Sequence, residues 1–196
     1  MSDYTAIADV SYTLADLLRN QMEDLIDPGS IAAVSPGEIE ANDSVRLSLF
    51  LFQVIENVHM KNQEMQIINP AKLKYPPLIL DLSYMLTSYP SSGIQDKTER
   101  TKDEHSVLGR AMQILHDNSI ITDPFLRGCL TDDGQELHIS QSLHNLGDMT
   151  KIWGTFQNRP FRPSVCYIVA NVRIESTREK EAKRVISRRF DRYMKV

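Results

Sequence analysis

The sequence predicts an α+β domain, a mixed or antiparallel β-sheet of about four to five strands flanked by helices. Residues 45–55, 78–88 and 164–174 alternate or run apolar over strand lengths. Residues 4–25, 98–117 and 145–157 place apolar side chains at three- and four-residue steps. The chain has 196 residues, 41% hydrophobic and 24% charged, which suits one soluble domain with its own core.

The first helix is expected over residues 4–25, where Ile7, Val10, Leu14, Leu17, Leu18, Met22 and Leu25 share a face and Asp27-Pro28-Gly29 stops the run. A short apolar stretch at 31–34 follows, broken by Ser35-Pro36-Gly37 ahead of an acidic loop. In 45–55, Val45, Leu47, Leu49 and Leu51 take one side, while the other passes from Arg46 and Ser48 to Phe50, Phe52 and Val54. That pattern predicts a central strand whose second half is covered on both faces. Residues 56–77 are polar, end in Lys-Tyr-Pro-Pro, and are expected to be a long exposed loop.

Leu78, Leu80, Leu82, Tyr84 and Leu86 then face one way in the next strand, opposite Asp81, Ser83 and Thr87. Val107, Leu108, Ala111, Met112, Ile114 and Leu115 form the buried stripe of a helix over 98–117, with 97–104 mostly solvated. A short strand at 137–141 and a helical segment at 145–157 lead into the strand at 164–174, where both alternating sets are largely apolar. Ser176 and Glu179 have capping-box spacing, which predicts a last helix with Val185, Ile186, Phe190, Tyr193 and Met194 on one side. The chain thus divides into a body, 1–177, and a basic amphipathic C-terminal helix, 178–196.

Charge is uneven. Net charge is −4, but residues 178–196 hold eight basic groups against three acidic ones, +5, which leaves −9 for the rest. Lys183, Arg184, Arg188, Arg189, Phe190 and Arg192 are the candidate partner-contact residues. Their cations fit phosphates or an acidic protein surface; the acidic body favours docking on a partner or a neighbouring copy over nucleic acid.

Chemistry-bearing motifs are not found. The sequence has no phosphate-binding glycine loop, nucleophile elbow or paired-cysteine site, and Cys129 and Cys166 are expected as free thiols. His59, His105, His116, His138 and His144 are read as loop, helix-margin and strand-end residues, and Asp103-His105-Ser106 as one solvated helix turn. Trp153, Phe156, Phe161 and Tyr167 are read as core rather than as a base-stacking platform. No catalytic residue, metal or cofactor is expected. No apolar run reaches the roughly 20 residues of a membrane helix. No basic residue precedes Arg19, so a secretory signal is not expected and the chain is placed in the cytoplasm.

Five stretches together resemble the cap, or tail-terminator, proteins of extracellular contractile injection systems of the antifeeding-prophage and virulence-cassette type. They are DYTAIADVSYTLADLLRNQM (3–22), NDSVRLSLFLFQVIENVHMKN (42–62), PPLILDLSYMLTSYP (76–90), EHSVLGRAMQILHDNSII (104–121) and RPSVCYIVANVRIEST (162–177). The resemblance implies a fold like that of phage tail terminators, a six-subunit ring, contacts with sheath and inner-tube proteins, and no enzymatic activity. It implies cytoplasmic assembly into a phage tail-like particle, later released or retained. The alternative is another adaptor of the same particle, a baseplate or tube-initiation component. Some relatives carry a longer C-terminal region, so the resemblance also admits a short form or one of two caps.

Overall fold

The computed structural model describes residues 3–40, 42–61 and 63–181. Its main sheet has six strands in the order β1-β2-β5-β8-β7-β6. These are β1 (Ile31–Ala32), β2 (Leu47–Glu56), β5 (Leu78–Ser88), β6 (Ile120–Ile121), β7 (Leu137–Gln141) and β8 (Ser164–Ile174). Only the β1–β2 pair is parallel, so the sheet is mixed. A second sheet joins β3 (Gln66–Asn69), β4 (Lys72–Lys74) and β9 (Glu179–Glu181).

Helices cover both faces. On one face α1 (Ala6–Gln21) and α2 (Lys97–Asp117) bury Val10, Leu14, Leu18, Val107, Ala111 and Ile114 against Leu47, Leu49, Leu82, Tyr84, Leu86 and Val169. On the other, α3 (Leu146–Trp153) sets Met149 and Trp153 against Met85 and Cys166, with Phe50, Phe52 and Phe156 packed around them. The predicted aromatic group is therefore split, since Tyr167 belongs to the first core and Trp153 to the second.

α1 ends four residues before the predicted stop: the amides of Leu25 and Ile26 both donate to the Met22 carbonyl in a tightened turn, and Asp27 then caps the next turn by accepting from Gly29. Asp9 of α1 accepts from the Cys129 amide at 3.0 Å and the Thr5 hydroxyl at 2.8 Å. Burial opposes the Asp9 charge, but these hydrogen bonds outweigh it and hold the carboxyl below its ordinary range. Gly128 has φ +58, and a Cβ there would lie 2.3 Å from the Asp9 carboxyl carbon, so glycine is required for this close approach.

Two bulges set the phase of the strands. Leu51 faces Tyr84 and Gln53 faces Ser83, which makes Phe52 the extra residue of β2. In β8, Ala170 and Asn171 together lie opposite Asp81, and Asn171 takes a left-handed φ of 67°. Asparagine tolerates that conformation better than most residues. The extra residue moves the inward set from Val165, Tyr167 and Val169 to Val172 and Ile174.

Residues 97–104 are mostly solvated, as expected; Glu104 is buried and paired with Arg162 at 2.8 Å, and Asp103 is paired with Arg46 at 2.7 Å. Three expectations are corrected. The segment 56–77 is not all loop: β3 and β4 form a hairpin within it. The second half of β2 is exposed, with Val54 45% and Ile55 48% accessible, while its first half is buried on both faces. Residues 179–181 begin no helix: they form β9, paired to β4, because ladder hydrogen bonds and the Lys72–Glu179 ion pair at 2.7 Å replace the local cap.

Candidate assembly surfaces

β2 is a long strand with a short outer neighbour. β1 pairs only with Leu47 and Ser48, so among the described residues no strand lies against the outer edge of residues 49–56. A row of backbone donors and acceptors is therefore presented along eight residues. The opposite edge of the main sheet is the two-residue β6, which offers far less.

The small sheet prolongs the middle of the large one. β4 runs through Pro76-Pro77 into β5, and β9 follows β8, so the β4–β9 ladder continues the β5–β8 ladder beyond the prolines. Both prolines lack an amide donor, and their interruption separates the two sheets. The joint is held by Lys74 and Glu175, a largely buried ion pair at 2.8 Å, and by the Tyr75 amide donating to the Arg178 carbonyl at 3.1 Å. Glu175 also lies 3.6 Å from Arg173, and the Arg178 guanidinium stands 4.3 Å from the Tyr75 ring centre.

β3 is exposed along its whole length. Ile67 and Ile68 are adjacent at a bulge of β3, where Ile67 faces Leu73 and Asn69 faces Lys72, and they are 78% and 49% accessible. Val58 and Met60 in the 3-10 turn after β2, and Leu78 at the start of β5, are exposed as well. Together with Val54 and Ile55 these make seven of the fifteen exposed large apolar residues among the described ones. Chain connectivity and the two ladders gather them at one end of the molecule.

Asp103, Ser106 and His144, which sequence alone offered as possible chemistry, have structural partners. Asp103 also accepts from the Ser91 amide at 2.9 Å, and the Ser106 hydroxyl donates to the Lys102 carbonyl at 2.8 Å. His144 Nδ1 is 3.0 Å from the Ser142 hydroxyl, and the His144 ring stacks edge-on against Phe52. Among the described residues no group of three His, Cys, Asp or Glu side chains could hold a metal ion. Neither Cys129 nor Cys166 forms a disulfide, and burial pushes the Cys166 thiol up to about 11. Among the described residues no helix is long and apolar enough to cross a membrane.

The sequence-predicted contact residues Lys183, Arg184, Arg188, Arg189, Phe190 and Arg192 lie outside the described residues. What sequence reasoning missed is the free edge of β2 and the exposed hairpin. The only signal for the latter was Ile67-Ile68 set in a polar stretch.

A mixed sheet with helices on both faces matches the fold of a tube terminator. The fold is similar to that of a PVC sheath/tube terminator in the extended state, with a TM-score of 0.64 at 16% identity, covering 100% of this chain and 66% of the other. It is also similar to the anti-feeding prophage tube terminating cap, with a TM-score of 0.55 at 16% identity, covering 90% of this chain and 59% of that one. At that identity the likeness establishes the fold, and the chain spans less than two thirds of either neighbour. Residues 9–188 match the Pvc16 N-terminal domain, and the chain belongs to that family. No curated protein matches it in sequence.

Proposed function

We propose that this chain is a cap subunit that ends the sheath and tube of a contractile injection particle. The observation that carries the reading is the family match over residues 9–188, joined to a fold shared with a sheath/tube terminator and a tube terminating cap. In this reading the protein acts by surface contact, without enzymatic turnover. Copies assemble into a ring, six as in the implied family arrangement. The ring forms while the particle is built in the cytoplasm, and it stays with the particle afterwards.

The physical task of a terminator is to occupy the last layer's contacts without offering them again. The β2 edge supplies one means: a strand from the last sheath or tube subunit adds along residues 49–56 and makes ladder hydrogen bonds that need no particular side-chain sequence. The remaining edges of the main sheet are too short to continue the series. The basic groups Lys183, Arg184, Arg188, Arg189 and Arg192, with Phe190, contribute a second contact to an acidic neighbour, for which the −9 body of another copy is suited.

Particles assembled without this chain are the test. Ragged or over-long sheaths on electron micrographs, restored by adding the chain back, support a cap; sheaths of normal length and finish overturn it. Val54→Lys places a charge on the open half of β2, where edge strands resist pairing. Cosedimentation with sheath–tube particles should fall about tenfold, a loss of about 1.4 kcal/mol of binding.

A further inference from the structure

At the end of the main sheet away from the hairpin, where β2 and β8 begin and β5 stops, the protein encloses a cavity of about 580 Å³, within the size range of small-ligand sites. Four arginines from separate segments line it: Arg46 ahead of β2, Arg100 in α2, and Arg159 and Arg162 ahead of β8. Two of them are already matched. Arg46 meets Asp103 at 2.7 Å and donates to the Tyr89 carbonyl at 2.9 Å, and Arg162 meets Glu104 at 2.8 Å while lying 5.1 Å from the Tyr89 ring centre. The other two are not. Arg159 is half-buried and donates only to the Gly37 carbonyl at 3.3 Å, and neither it nor exposed Arg100 has an ion pair among the described residues.

Trp153 adds a donor to the same lining. It is 5% accessible, and its indole N–H has no acceptor among the described residues. A buried donor left without an acceptor is costly, and an oxygen brought in by a ligand relieves that cost. The acids of the lining, Glu40 and Asp43, stand on an exposed loop, where the Glu40 amide donates to Asp43 at 2.8 Å.

Spare guanidiniums and an unmatched indole N–H call for a ligand rich in acceptors and negative charge. Glu40 and Asp43 repel a dense polyanion such as nucleic acid, whereas carboxylates spaced along a polypeptide can each meet one guanidinium, in the forked geometry that suits arginine. Pro36, Pro90 and Pro160 add apolar wall, which accommodates a peptide chain better than a lone inorganic ion. From this lining we infer that the cavity receives a short acidic polypeptide segment of a partner. Its carboxylates seat on Arg100 and Arg159, and one of its oxygens accepts from the Trp153 indole. Arg46 and Arg162, held by Asp103 and Glu104, keep the wall in shape. The site is distinct from the β2 edge and stands whether or not the chain is a cap.

Trp153 is the only tryptophan of the chain, so its emission reports on this cavity alone. Full-length chain is titrated at constant ionic strength with end-blocked tetraglutamate, end-blocked tetralysine and inorganic phosphate, following emission and, in parallel, heat by calorimetry. Tetraglutamate should bind saturably and tetralysine should not. Arg100→Ala and Arg159→Ala, each checked by circular dichroism for an unchanged fold, should weaken tetraglutamate at least about tenfold, as expected for losing a charge-assisted pairing. Absence of saturable emission and heat with tetraglutamate overturns the inference. Binding that both variants retain at full strength overturns it too, and phosphate binding as tightly as the peptide overturns the choice of a polypeptide.

Discussion

The same three strands behave oppositely at their two ends. Around Leu49, Leu86 and Val165 the β2–β5–β8 ribbon is sandwiched between α1 and α2 on one face and α3 on the other, and Leu86, Met85 and Cys166 are buried. Around Ile55, Leu78 and the hairpin beyond, the apolar side chains stand among polar ones and lie open. Cover separates the two ends as well as composition: α3 has only eight residues, about 12 Å, and reaches only part of one sheet face. The covered end holds the fold together, and the open end is available to partners.

Substitutions at the two ends should separate those roles, and the largest contrast is in stability. Leu82→Ala should cost about 2–5 kcal/mol in urea denaturation, because the buried side chain leaves a cavity. Ile67→Ala should stay within about 0.5 kcal/mol of wild type, as an exposed position does. Equal losses at both sites would mean that the hairpin is as much a part of the core as β5.

The joint between the ends is the next place to look. Replacing Glu175 with Gln weakens its pairing with Lys74 and Arg173. Amides of β4 and β9 should then exchange with solvent faster, as though local opening had become easier by about 2 kcal/mol, while β5 and β8 keep their protection. Uniform acceleration across both sheets would erase the distinction. A smaller effect belongs to Tyr84→Phe, which removes the 2.8 Å hydrogen bond with Ser11 that ties β5 to α1. About 1 kcal/mol of stability should go, with no change in self-association. Smallest of all is a labelling difference. Cys166, buried under α3 with its thiol pushed up to about 11, should alkylate more slowly at pH 8 than a thiol introduced at Ile67.

Much of this fold was legible because its signals are local. The strand at 137–141, the body of the strands at 78–88 and 164–174, and the helix ending at Asp117 follow from periodicity within each segment. The hairpin was not legible. β3 is four residues long, β4 three, and the partner that steadies β4 lies more than a hundred residues later in β9. For the same reason Ser176 and Glu179 suggested a helix start, and a distant ladder took the residues instead. In β8 both faces read as apolar, so only the bulge at Asn171 reveals where the inward set changes.

By itself the sequence determined the class of fold, its three long strands and the unequal placing of charge, since each depends on neighbours a few residues apart. Only the tertiary structure decided which edge of the sheet stands open and which end stays uncovered. Pairing and burial are settled between residues far apart in the chain, and an apolar side chain carries no local mark of whether a helix will reach it.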